Sequence, residues 1–203
     1  TRTAKPMTER NALTLSSIDD LLALGDGLGL GTSFQEIIVD GALRSRFQNP
    51  APSTGAVFAS SFTLQDSDGL HVLSFLAQDT LGNREGQQPL TVAVDNTAPL
   101  TTLAVGSPSH EAQDGSVFVN GYATLSLSAQ DPVTGGVASG PLATEYSLDG
   151  GPFSPYQSPF SAGTPGQHSL GYRSRDRVQN EEQTRTKTVI VDAAAPIISG
   201  LGP

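Results

Sequence analysis

The residues able to do chemistry in this chain come in pairs. His71, Asp79, Asn83 and Glu85 recur as His168, Asp176, Asn180 and Glu182, each displaced by 97 positions. Imidazole and carboxylate groups in one stretch are the raw material of acid–base work, and oxygen ligands crowded into a turn suit a hard cation such as calcium. Asp79 with Asn83, and Asp176 with Asn180, are thus calcium candidates. Asp95, Asn96 and Asp192, where the repeated stretches end, and Asp131, where a strand meets a loop, complete the set as ligands of a cation that would stiffen a joint. The alternative is an Asx-type turn, in which the same side chains hold backbone N–H groups.

Repetition speaks against catalysis, because a residue copied together with its surroundings serves the architecture. His71 and His168 each open an apolar strand, where the ring is expected to pack and to bond a nearby carbonyl; His110 stands alone. No H-E-x-x-H or G-x-S-x-G motif is present. Gly25, Gly27, Gly29 and Gly31 miss the G-x-G-x-x-G spacing, and no lysine follows, so residues 21–33 read as a connection between strands. A carboxylate pair for glycoside hydrolysis has no apolar cleft-forming segment beside it. The expectation is a protein that is not an enzyme and has no cofactor other than calcium.

The elements that must position these residues are short strands. His71–Pro99 reads HVLSFLAQDTLGNREGQQPLTVAVDNTAP, and His168–Pro196 reads HSLGYRSRDRVQNEEQTRTKTVIVDAAAP. Each is a strand, a polar turn and a second strand; His71, Leu73, Phe75 and Ala77 form one inward row, Val92 and Val94 the other. Leu13–Ile18 and Ala123–Ala129 alternate as half-buried strands. Apolar runs ending at Asp40-Gly41 and Asp149-Gly150 signal hairpins. A repeat near one hundred residues has the size of a small domain rather than a solenoid unit. We expect an all-β chain of two tandem immunoglobulin-like antiparallel sandwiches: residues 1–97, residues 98–195, and a tail at 196–203. Asp40 to His71 spans 31 positions and Asp149 to His168 spans 19, so the first copy carries 12 extra residues, placed at 49–60 and expected to protrude beside a strand edge.

Composition limits the partners. Twenty acidic against 11 basic residues give a net charge of -9, which disfavours the nucleic-acid backbone. Cysteine is absent, which removes disulfides and zinc–thiolate sites. No apolar run reaches the roughly 18 residues that span a bilayer, so no membrane insertion is expected.

At YSLDGGPFSPYQSPF, HSLGYRSRDRVQNEE and VIVDAAAP the chain resembles the immunoglobulin-like repeats of bacterial secreted and surface proteins. The resemblance covers residues 99–196 well and 13–99 less well. It implies the sandwich fold, an extracellular or cell-surface location, and service as a spacer, an adhesin or a filament part. The Phe153, Tyr156, Phe160 cluster offers sugar stacking or, more ordinarily, closure of a sandwich edge.

One asymmetry bears on assembly. Ala195-Pro196-Ile197-Ile198 repeats Ala98-Pro99-Leu100-Thr101, the start of the second module's first strand, while the first copy has little chain ahead of Asp19 for such a strand. Pro196, Ile197 and Ile198 are therefore assembly candidates, either as a link in a longer array or as a strand added to a neighbouring copy. The expected partners are other copies or adjacent repeats. The alternative is an adhesive or carbohydrate-binding module that holds a surface glycan or receptor.

Overall fold

A computed structural model describes residues 5–7, 12–19 and 29–200. Asp20 and most of the glycine-rich connection at 21–33 lie outside the described residues, as do 1–4, 8–11 and the last three positions of the tail. The described chain is all β. No described helix is long and apolar enough to cross a membrane. Two compact units emerge: residues 1–97 with 133–139, and residues 98–132 with 140–203.

In the first unit the strands are β1 (Lys5–Met7), β2 (Ala12–Ile18), β3 (Thr32–Val39), β4 (Ala42–Gln48), β5 (Val57–Thr63), β6 (Gly69–Asp79) and β7 (Gln88–Val94). One sheet runs β1-β7-β6-β3-β4 and the other is the pair β2-β5. All neighbours are antiparallel except β1 and β7, which run parallel. A β7-β6-β3 sheet facing a β2-β5 pair is the immunoglobulin-type arrangement. Between the sheets lie Met7, Ile37, Val39, Phe62, Leu64, Leu73, Val92 and Val94, all buried. Leu76 is buried on the other face of β6.

Asp40 and Gly41 form the two-residue turn between β3 and β4, with φ of 49° and 83°. Positive φ at both positions is what a tight hairpin following the twist of its strands needs, and Asp-Gly supplies it.

The extra residues of the first copy do not simply protrude. Val57–Thr63 is β5, paired with β2 along its whole length from Ile18↔Val57 to Ala12↔Thr63. Phe58, Ser60 and Phe62 alternate inward, so burial of this row draws the segment into the sandwich. Only 49–56 remains a connection. It is tied down by Asn49 Nδ2 donating to the Thr32 carbonyl at 2.8 Å and the Gly55 N–H donating to the Asp19 carbonyl at 3.3 Å.

The second unit contains β8 (Leu100–Val105), β9 (Ser109–Glu111), β10 (Val117–Val119), β11 (Leu125–Gln130), β12 (Pro141–Leu148), β13 (Ser154–Pro155), β14 (Gly166–Asp176) and β15 (Arg185–Val191). Its sheets are β13-β12-β14-β15-β10-β9 and β11-β8, with β10 parallel to β15. The core holds Val117, Val119, Ala123, Leu125, Leu127, Leu170, Tyr172, Val189 and Val191. Here β8 occupies one edge of β11; in the first unit β2 has one described partner, β5. Residues 192–200 lie outside any strand and are exposed, with Ile197 and Ile198 at 91% and 89% of full accessibility.

Candidate functional site

The repeated chemistry-bearing residues resolve into three constructions, each built twice. The first joins the hairpin aspartate to the strand histidine. Asp40 Oδ2 lies 2.7 Å from His71 Nδ1, and Asp149 Oδ2 lies 2.8 Å from His168 Nδ1. The other ring nitrogen faces a carbonyl, Ser67 O at 2.9 Å and Thr164 O at 2.7 Å. A carboxylate and a carbonyl both accept, so both ring nitrogens must donate and the geometry calls for imidazolium. For His71, burial opposes the charge, but the bonds to Asp40 and the Ser67 carbonyl and the charges of Asp40 and Asp66 outweigh it and raise the pKa above 6.5. For His168, the bond to Asp149 leads, the Thr164 carbonyl adds to it, and the pKa is again raised above 6.5. Both aspartates are held below 3.8, first by the histidine bond and then by the N–H of Val72 or Ser169. A ring with both nitrogens committed is a clamp across the sandwich end rather than a proton shuttle. The sequence held the signal, since Asp-Gly and His recur together, but the link spans 31 positions in one copy and 19 in the other.

The second construction is the turn. Asp79 Oδ1 accepts from Leu81 N at 2.9 Å and Asn83 N at 2.8 Å, while its Oδ2 accepts from Asn83 Nδ2 at 2.6 Å. Asp176 repeats this with Val178 N at 2.9 Å, Asn180 N at 2.8 Å and Asn180 Nδ2 at 2.7 Å. These side chains hold the backbone of their own turns. For Asp79, the Asn83 amide and then the turn N–H groups lower the pKa.

The other calcium candidates are scattered more widely. Asp95 is buried and accepts from Ser139 N at 2.6 Å and Thr97 N at 3.2 Å. Asn96 donates its N–H to Asp68 at 2.8 Å and its side-chain amide to the Asp66 carbonyl at 3.2 Å. Asp192 caps Ala194 N at 3.0 Å. Within the second unit, carboxylate oxygens of Asp131 and the fully buried Asp176 lie within 4.8 Å of one another. Asp131 also accepts from Gly140 N at 2.6 Å. Two carboxylates this close repel unless a cation or a proton intervenes.

The third construction uses Glu85 and Glu182, which the sequence offers as a repeated pair of acids without showing the backbone groups they hold. Glu85 follows the turn, its Oε1 accepting from Ala77 N at 2.8 Å; Glu182 accepts from Ser174 N at the same distance. In the second unit the same glutamate reaches further. Its Oε2 accepts from the backbone N–H of Thr101 on β8 at 3.1 Å, and its Oε1 also takes the Thr101 hydroxyl. Thr101 is fully buried, and Arg185 donates to its carbonyl at 2.6 Å. Glu182 thus fastens the first strand of the unit to the turn after β14.

A charged cluster also lies on the outer face of each larger sheet. Glu36 on β3 is buried between Arg46 and Arg84, each about half exposed. In the second unit the signs exchange: Arg173 pairs with Glu145 at 2.6 Å and Glu181 at 2.7 Å.

The aromatic cluster splits. Tyr146 stacks on Phe160 at 4.0 Å between ring centres, and Tyr156 meets Phe160 edge-on at 6.3 Å. Both Tyr156 and Phe160 pack on the core, and the Arg173 guanidinium covers Phe153 at 4.4 Å. These rings close the sandwich edge.

No family model and no curated protein matches the chain. Among solved structures the chain is similar to the fibronectin(III)-like modules of Clostridium thermocellum CbhA, at 14% identity and a TM-score of 0.41, covering 98% of this chain and 95% of that one.

Proposed function

We propose that this protein is an extracellular structural and assembly module, a surface spacer or filament subunit whose tandem immunoglobulin-like units are joined by addition of edge strands. The observation that carries this reading is the segment around Pro196, Ile197 and Ile198. It repeats the start of β8, yet it is exposed and outside any sheet, with two adjacent isoleucines in water. Two large aliphatic side chains in such a segment favour burial, and an unpaired strand edge offers it together with backbone hydrogen bonds. The partner is another copy of the chain or an adjacent repeat. A contact that joins one surface of a copy to a different surface of the next is heterologous, and it extends into a filament where its rotation does not close into a ring.

Calcium belongs to this reading as a stiffener, with Asp131 and Asp176 as its first ligands. The duplicated residues support architecture rather than turnover, since each is engaged in holding a turn or a strand. The rival reading, a glycan-binding or adhesive module, loses support from the commitment of Tyr156 and Phe160 to the core. Removing residues 196–203 and following assembly by sedimentation and electron microscopy tests the proposal. Assemblies that persist without the segment, or a full chain that stays monomeric at high concentration, would reject it.

A further inference from the structure

We infer that the second unit holds a binding site for a free α-amino acid with an aliphatic side chain, in the cleft between β8, the β9–β10 hairpin and β15. The site lies within one unit and does not depend on assembly. The cleft measures about 320 Å³; Leu103, Val105 and Val117 are its apolar walls, and Glu111, Tyr172 and Lys187 bring polar groups to it. Leu103 and Val105 pack from β8 against the core, paired with Leu127 and Leu125 of β11. Val117 stands opposite Glu111 of β9 on one side and Val189 of β15 on the other.

Two of the polar side chains are not required by the sandwich. Tyr172 and Lys187 occupy positions that the first unit fills with Phe75 and Leu90. Lys187 pairs with Leu170 as Leu90 pairs with Leu73, and Tyr172 pairs with Arg185 as Phe75 pairs with Gln88. Leu170 and Leu73 are both core residues, so their partners across the ladder point to the same side. The fold is served there by an aromatic ring and an aliphatic chain, yet the second unit installs a phenol and an ammonium. Tyr172 is only 6% accessible, and its hydroxyl takes no hydrogen bond from any described residue. The oxygen is not sealed within the core either, so it opens on the cleft that Tyr172 lines. A buried tyrosine hydroxyl ordinarily has a partner, and here the place of that partner is open to a ligand.

The charges select the class of ligand. Lys187 Nζ donates to Glu111 Oε1 at 2.6 Å, with side chains 25% and 66% accessible. That bond, and then the lysine charge, hold Glu111 below 4.5. The cleft therefore presents one cation set inward and one anion at its rim. A simple carboxylate would meet repulsion from Glu111, and a simple amine repulsion from Lys187. A zwitterion satisfies both. Its carboxylate accepts from Lys187 and from the Tyr172 hydroxyl, its ammonium donates to Glu111, and an aliphatic side chain covers Leu103, Val105 and Val117. Parting so exposed an ion pair costs little, and each member gains a charged partner in exchange. Ammonium and carboxylate share one carbon only in a free amino acid, which distinguishes this ligand from a peptide terminus.

Titration of the isotope-labelled full chain with L-leucine, followed by amide NMR shifts, tests the site. Saturable shifts are expected at residues 103–105, 109–117 and 185–189, with a Kd of about 1 mM or below. Isocaproate lacks the ammonium and isopentylamine lacks the carboxylate, and each should bind at least about tenfold more weakly than leucine. Tyr172→Phe should weaken leucine binding about tenfold, and Lys187→Leu by more than that. Both substitutions install what the first unit carries at the same positions, so the sandwich is kept. The two analogues probe the same contacts in the unaltered chain, independently of either variant. No saturable shift up to about 50 mM leucine, or shifts confined to other residues, overturns the inference. So do analogues that bind as well as leucine, and so does binding that ignores both substitutions.

Discussion

Removing the two arginines around Glu36 should destabilise the first unit more than removing Glu36 itself. The Glu36 side chain is 3% accessible, whereas those of Arg46 and Arg84 are 47% and 49% accessible. Burial therefore penalises the anion, and the cations retain much of their hydration. Methionine at 46 and 84 keeps apolar stems over the carboxylate while taking the charges away, leaving a buried anion without compensation. Breaking a fully buried pair costs about 3–5 kcal/mol; screening of the half-exposed guanidinium groups lowers the expectation here to about 2–3 kcal/mol. Either single substitution leaves one cation in place and should cost under about 1 kcal/mol, so the pair is strongly non-additive. Glu36→Met buries an apolar group of similar volume and leaves two arginines in water, at a cost of about 1 kcal/mol or less. Urea unfolding followed by hydrogen exchange reads the effect in β3, β4 and β6, with the second unit as internal reference. For a unit near one hundred residues the double substitution corresponds to a drop in melting temperature on the order of 10–20 °C. If Glu36→Met costs as much as the double arginine substitution, or if the two arginine effects simply add, burial of the anion is not what governs the cluster.

Other perturbations follow from the same geometry. The histidine clamps should make stability pH-dependent on both sides. Histidine pKa values raised above 6.5 mean stabilisation fully present below 6.5 and lost as pH rises through the folded value; aspartates held below 3.8 mean stabilisation present above 3.8 and lost as pH falls through theirs. His71→Gln with His168→Gln should flatten the alkaline side of a stability–pH curve measured by urea unfolding, and an unchanged curve would dismiss the clamp. Leu125→Ala and Leu170→Ala, at fully buried sites of the second unit, should each cost about 2–5 kcal/mol by chemical denaturation. Gly31 has φ of +92°, and a Cβ there would sit 2.2 Å from Ser53 N, so Gly31→Ala should increase hydrogen exchange across 49–56. Calcium should raise the melting temperature relative to chelator, and Asp131→Asn should remove the rise; equal melting with and without the ion ends that proposal.

Much of the fold was legible because its strands repeat their own alternation. Leu73, Val92 and Val94 face the core as the period of two requires, and Asp40-Gly41 turns where an apolar run meets Asp-Gly. Elements that depend on distant partners were harder to see. Val57–Thr63 carries small residues, Ala59, Ser60 and Ser61, that blur its apolar row, so it reads as insertion until β2 lies beside it. β1 and β10 have three residues each, too few to show a period, and they exist because β7 and β15 offer a parallel edge. Asp79 and Asn83 could be named from composition, but which atoms they face is set by the closure of the turn. Glu36, Arg46 and Arg84 come from three elements, and only the register that places Arg46 and Leu76 beside Glu36 brings them together.

The parallel pairing of β1 with β7 has a mechanical consequence. Tension on a unit that is entered through β1 and left through β7 pulls these neighbours in opposite directions along their common axis. The backbone pairings that set Lys5, Pro6 and Met7 opposite Val92, Ala93 and Val94 are then sheared together rather than peeled one at a time. An antiparallel pair joined by a hairpin, such as β3 and β4, would open from its free end like a zip. The short parallel seam is therefore loaded in shear, across all three pairs at once, when β1 and β7 are drawn apart along the strand axis.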